Sequence, residues 1–283
     1  MRIAVLDLYE NVENQGLSSI CQIVHSFLEA RFTPNDFELK IYDVRAKNEL
    51  PILNDFDAII SSGGPGSPIS SSTQEWDIRW GQLLDDILEY NKTNPHKPKP
   101  CFLICHSFQL ACRHWDLGLV NARHSAAYGV LEAHPTDCAK SDPVFSDMPD
   151  LWWTVENRYF QVTQINTQKI LNQGGQILAY EKSRPNKTYE QAIVALYFGH
   201  TIWGTQFHPE VSAESFLKHL SKPYIENKIL EEHGPAKLEQ IKALLQLDDR
   251  IEVTRNVVLI SFLKIAYELF NHSAHKKEME LLC

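Results

Sequence analysis

A chain of 283 residues, 43% hydrophobic and 22% charged, is long enough for one large core with an appendage or for two modest cores. Its net charge of −9, with no run of Lys and Arg longer than a pair, gives no electrostatic footprint for nucleic acid or for an anionic membrane. Six cysteines (Cys21, Cys101, Cys105, Cys112, Cys138, Cys283) stand scattered, without a Cys-x-x-Cys pair or histidines at zinc-finger spacing, which disfavours both disulfides and structural zinc.

The chain opens on MRIAVLDLY, where a single arginine meets a strand-like apolar run at once, so the start does not read as a signal peptide. Further apolar runs follow as FELKIYDV (37–44), FDAIISS (56–62) and PCFLIC (100–105). Longer segments of helical spacing separate the first two and the last two, and that alternation predicts a parallel sheet with covering helices. Residues 75–92 place Trp76, Ile78, Leu83, Leu84, Ile87 and Leu88 on one side and end in the proline-rich NKTNPHKPKP. Beyond residue 118 the strands read shorter: YGVLEAH, GQILAYEKS, QAIVALYF and TIWGTQF, the last two joined by a Gly-containing turn.

From Ala213 onward the pattern is helical, with Gly234-Pro235 ending one helix and starting the next. The terminal apolar positions Val253, Val257, Ile260, Leu263, Tyr267 and Phe270 form a face for the main domain or, as the minority reading, for a second copy of the chain. Lys264 and Glu268 interrupt the longest apolar stretch, so no membrane span is expected and the chain is placed in the cytoplasm.

Three short stretches carry chemistry. Cys105 falls where a strand turns into a helix, at the carboxyl end of a parallel sheet where ligands collect. Free N–H groups and the positive dipole end of that helix suit a thiolate. A buried cysteine packing as a small hydrophobe fits the elbow equally well. In WGTQFHPEVS (203–212), extended spacing lets His208 and Glu210 lie side by side, so that a carboxylate fixes the imidazole and favours its charged form, although a surface turn is the commoner meaning of His-Pro-Glu. His106, His114, His124 and His134 show no carboxylate so placed. SSGGPGSPIS (61–70) offers inward-turned N–H groups as an anion nest and lacks the Gly-Lys-Ser/Thr ending of a phosphate loop.

In this order, the three stretches resemble class I glutamine amidotransferases, a family that includes the glutaminase domain of GMP synthase. The resemblance rests on Gly63-Gly64-Pro65, on Cys105 with Gln109 four residues later, and on Gly204-Thr205-Gln206-Phe207-His208-Pro209-Glu210, with Asp142-Pro143-Val144-Phe145 as a further match. It implies an α/β, flavodoxin-like open, mostly parallel sheet with flanking helices over residues 1–215, and the helical pattern beyond makes residues 216–283 a helical C-terminal extension packed on it. It implies a Cys105, His208, Glu210 triad, an oxyanion hole from the N–H groups of Gly64 and His106, and substrate contacts from Gly63, Pro65, Gly66 and Gln109. No metal or other cofactor is implied.

The substrate implied is glutamine or another γ-glutamyl amide, and the ammonia would serve a synthase on a separate chain. Family elbows read Gly-x-Cys-x-Gly, whereas here Leu103 and Ser107 flank the cysteine, so the elbow is expected to open or repack around Leu103. A γ-glutamyl peptidase on the same scaffold and a non-catalytic binding subunit stand as alternatives.

Overall fold

The structure, a computed structural model, describes residues 1–12, 15–183, 190–246 and 250–281, with side chains followed to residue 273. Cys283 lies outside the described residues. The strands are β1 (Arg2–Asp7), β2 (Glu38–Asp43), β3 (Ala58–Ser61), β4 (Cys101–Ile104), β5 (Leu119–Pro135), β6 (Trp152–Thr163), β7 (Gln176–Glu181), β8 (Ile193–Gly199) and β9 (Ile202–Thr205). The helices are α1 (Gln15–Glu29), α2 (Val44–Lys47), α3 (Glu75–Thr93), α4 (His106–His114), α5 (Asp137–Ser141), α6 (Thr167–Asn172), α7 (Ala213–Leu220), α8 (Pro223–His233), α9 (Pro235–Gln246) and α10 (Arg250–Leu281).

One sheet orders the strands β2-β1-β3-β4-β9-β8-β7-β5-β6. The first five pair in parallel, in the flavodoxin-like order, and the remaining pairings are antiparallel. The parallel strands are short continuous apolar runs because both of their faces are covered. Ile3, Val5, Ile60 and Phe102 pack against α1 and α10, whereas Ala4, Leu6, Ile59 and Leu103 pack against α3 and α4.

Helix α3 buries Trp76, Leu83, Leu84, Ile87 and Leu88 as its spacing predicts, with Trp80 at the centre of the seam. Ile78 does not join them and is 48% exposed, since two residues along a helix turns a side chain away from Trp76 and Trp80. Helix α10 packs on the main core along a seam of Val258, Leu259, Phe262, Leu263 and Ala266. Of the positions read from sequence, Leu263 lies in that seam and Ile260, Tyr267 and Phe270 flank it.

Helices α7, α8 and α9 form a separate apolar cluster against β5 and β6 through Phe216, Leu220, Ile229, Leu238 and Ile241, which meet Val130 and Val155. Gly129 permits this approach: its φ is 108°, and a Cβ there would lie 2.7 Å from Ile241 Cγ1. Strand β6 did not stand out in the sequence, because its buried face carries Thr154, Glu156 and Arg158 rather than aliphatic residues. No described helix is long and apolar enough to cross a membrane.

Candidate active site

The site forms at the carboxyl ends of β3, β4 and β9. Cys105 sits at φ 48°, ψ −95°, between the end of β4 and the first turn of α4. A non-glycine residue at positive φ is strained and persists only where its surroundings hold it. Here the Cys105 N–H donates to the Thr205 carbonyl at 2.7 Å, and its own carbonyl accepts from Gln109 N at 3.1 Å. Ser107 adds a buried relay: Trp80 Nε1 donates to Ser61 Oγ at 3.1 Å, Ser61 and Ser107 hydroxyls meet at 2.7 Å, and Ser107 donates to the Ser62 carbonyl at 2.6 Å.

Leu103 is fully buried opposite Gly204 on β9, and a Cβ on Gly204 would lie 3.0 Å from the Leu103 carbonyl and 3.1 Å from Phe108. Glycine at 204 thus lets β9 pass close to the Leu103 backbone and to the Phe108 and Phe198 rings.

His208 lies beyond β9 in a loop that turns at Pro209-Glu210, so the two side chains meet across a turn and not along an extended strand. They meet all the same: His208 Nδ1 is 2.8 Å from Glu210 Oε1, which leaves Nε2 for Cys105. Glu210 is fully buried. Burial is the largest influence on His208 and opposes its charge, yet Glu210 and Cys105 together outweigh it and hold the imidazolium well above the ordinary histidine range. His114 and His134 also find carboxylates, Asp85 at 2.9 Å and Glu132 at 3.6 Å, a pairing the sequence reading missed, but neither borders the cleft.

A cleft of about 270 Å³ is lined by Gly64, Pro65, Gly66, Cys105, His106, Gln109 and His208, together with Tyr9, Arg158, Phe160 and Lys228. Gly63 borders His208 and Cys105 directly: a Cβ there would lie 3.0 Å from His208 Cε1 and 3.6 Å from Cys105 Cβ. At Gly64 only glycine fits, since a Cβ would lie 2.4 Å from the Leu8 carbonyl oxygen. The loop is also held from outside by Arg45, which donates to the Leu8 and Pro65 carbonyls at 3.2 and 2.5 Å.

The His106 side chain is buried, and burial, aided by Arg45 and Arg113, pushes its pKa down to about 3, so the ring is neutral. Gln109 lines the cleft, but its amide nitrogen is already engaged, donating to Gln206 Oε1 at 2.9 Å and to the Phe160 carbonyl at 3.2 Å. Gln206 in turn places its Nε2 3.6 Å from Cys105 Sγ. No separate signal within Gly-Thr-Gln-Phe-His-Pro-Glu had marked that residue. Among the described residues, no group of three or more His, Cys, Asp or Glu is placed to hold a metal ion.

Behind the cleft Arg158 is 2% exposed at its side chain and pairs with Glu156 at 2.5 Å and Glu181 at 3.1 Å, while Arg123 meets Glu181 at 2.8 Å. Burial opposes the Arg158 charge and the two carboxylates hold it in place. Arg158→Met would leave Glu156 buried without its cation. The expected loss is about 3–5 kcal/mol of stability, read as a lower urea midpoint.

A model of the family described as Glutamine amidotransferase class-I matches residues 12–227. No curated protein matches the chain. Among solved structures, a glutamine amidotransferase from Thermotoga maritima superposes with a TM-score of 0.66 at 12% identity, covering 94% of this chain and 97% of its own. A glutamine amidotransferase from Methylobacillus flagellatus gives 0.63 at 16% identity over 93% and 92% of the two chains. A putative GMP synthase subunit from Thermoplasma acidophilum gives 0.51 at 16% identity over 75% and 85%. At these identities the structures share the fold, while the family match covers most of the chain and includes the cysteine elbow, the Gly-Gly-Pro loop and the His-Pro-Glu turn: the chain belongs to the class I glutamine amidotransferases.

Proposed function

We propose that this chain is a cysteine-dependent glutamine amidotransferase that hydrolyses the side-chain amide of glutamine to glutamate and ammonia. The observation that carries the reading is the imidazole of His208, held at 2.8 Å by a buried Glu210 and turned toward Cys105 at the strained end of β4. His208 takes the thiol proton, and the sulfur attacks the amide carbon. The N–H groups of Gly64 and His106 hold the oxyanion, the latter free because it opens α4. The carbon–nitrogen bond breaks, and ammonia leaves with the proton from His208. Water then cleaves the γ-glutamyl thioester.

Gly63, Pro65 and Gly66 cradle the substrate, with the Gln109 carbonyl oxygen turned to its amino-acid end. The ammonia passes to an acceptor on a separate synthase chain, a reading supported by the fold likeness to a putative GMP synthase subunit. A cytoplasmic setting agrees with the free thiols at Cys21, Cys101, Cys105, Cys112 and Cys138. Glutamate and ammonia appearing from glutamine with the purified chain alone would establish the chemistry. Neither product from glutamine or from any γ-glutamyl amide would refute it.

The cleft's outer wall favours a second reading. Lys228 of α8 lies 5.2 Å from the Tyr159 ring, and Tyr159 donates to Glu232 at 3.0 Å, so the extension brings a cation to the cleft. Such a wall suits a γ-glutamyl amide whose amine portion bears a carboxylate. Lys228→Ala is expected to raise KM for such amides about tenfold while leaving kcat in place, in a panel that includes glutamine as reference.

A further inference from the structure

No step of the proposed chemistry involves Arg45, yet its side chain is only 10% exposed and bonds to the loop that carries Gly64. Local sequence puts it there. Helix α2 is a single turn, started by Asp43, whose Oδ1 accepts from Ala46 N at 3.0 Å, and ended by Asn48 at φ 58°. Strand β2 pairs with β1 so that Asp43 lies opposite Asp7, and β3 flanks β1 on its other side. A side chain two residues past Asp43 therefore spans the end of β1 to reach the loop that follows β3, and arginine is long enough to do so. Its Nη1 donates to the carbonyls of Leu8 at 3.2 Å and Pro65 at 2.5 Å, while Nη2 pairs with Glu10 at 2.8 Å.

These bonds bear on one peptide plane. The plane joining Gly63 and Gly64 carries the Gly64 N–H on one edge and the Gly63 carbonyl on the other, pointing in opposite directions. Ser62 Oγ donates to that carbonyl at 2.8 Å and accepts from Leu8 N at 3.0 Å, so the plane is held from its carbonyl side. Two peptides further on, Arg45 holds the Pro65 carbonyl, and the proline ring fixes the φ between. Leu8 takes part in both anchors, its N–H through Ser62 and its carbonyl through Arg45. Gly64 borders the cleft, and among the described residues its N–H donates to no protein acceptor.

We propose that Arg45 and Ser62 are positioning residues that aim the Gly64 N–H at the oxyanion of the tetrahedral intermediate, an inference that rests on the amide-hydrolase reading. Ser62 turns the peptide plane, and Arg45 keeps the loop from drawing away from β1. Neither touches Cys105, His208 or Glu210 through its side chain, so the nucleophile is made without them and only the donor loses its place when they are removed.

Arg45→Met and Ser62→Ala in the full chain test this, each serving where the other fails to fold. Ammonia from glutamine is followed by rapid quenching, and Cys105 is alkylated separately with iodoacetamide, in which the thiolate displaces iodide and no oxyanion forms. Both variants are expected to release ammonia ~10- to 100-fold more slowly, with alkylation within about twofold of the wild type. Arg45→Lys keeps the charge and can reach one of the two carbonyls, so part of the rate should return. Glu10→Gln removes an ion pair whose carboxylate is 55% exposed and spares the carbonyl bonds, so its ammonia release should match the wild type. Wild-type ammonia release in folded Arg45→Met or Ser62→Ala overturns the proposal, as does alkylation slowed as much as ammonia release, or a loss in Glu10→Gln equal to that in Arg45→Met. A wild type that releases no ammonia from glutamine or any γ-glutamyl amide overturns the hydrolase reading itself.

Discussion

Cys105→Ala is expected to lower ammonia and glutamate release from glutamine by about 10⁵-fold or more, because no other group in the cleft can form the thioester. The substitution removes one sulfur from a side chain that is 5% exposed and leaves the backbone bonds to Thr205 and Gln109 in place. Its cost to stability is expected to be about 1 kcal/mol, so the thermal midpoint should move little while activity disappears. The pair of measurements is decisive together. Activity lost with the fold intact assigns Cys105 to the chemistry, whereas activity retained would place the reaction elsewhere in the chain.

Glu210→Gln keeps the volume of the side chain and removes its charge, and kcat is expected to fall about 10²- to 10⁴-fold. Two effects combine. An amide can present its NH2 to His208 Nδ1 and force the wrong tautomer, and without the carboxylate the buried imidazolium loses its main support. Alkylation of Cys105 should slow in the variant, since an imidazole without its carboxylate accepts the thiol proton less readily. Stability should respond with a definite sign. The raised pKa of His208 means that its charge stabilises the fold fully below its unfolded value of roughly 6.5 and ceases to do so as pH rises through the native value. The deficit of Glu210→Gln, read from urea midpoints, should therefore be wider near pH 6 and narrower in alkali.

Much of this site was legible in the sequence because its parts are local. A strand of four apolar residues followed by Cys105, a glycine pair after another strand, and a histidine two residues from a carboxylate are all short-range signals. The remaining parts are long-range. Arg45 grips the Gly-Pro loop from twenty residues away, and Arg158 of β6 meets Glu181 of β7 across the intervening β5, so spacing within any one segment announces neither. Polar residues on a buried strand face also conceal the strand itself, which is why β6 escaped the reading while β7, β8 and β9 did not.

The placement of α10 bears on how the protein is made. Its Val258, Leu259, Phe262, Leu263 and Ala266 cover the same sheet face as α1, over strands synthesised well before it. During synthesis the part of that face beneath α10 stays uncovered until α10 emerges, so the N-terminal half cannot complete its core as it is produced. A nascent chain stalled before residue 250 would carry β1, β3 and β4 with part of their apolar surface open to water. It should be retained by chaperones until the final helix closes over them.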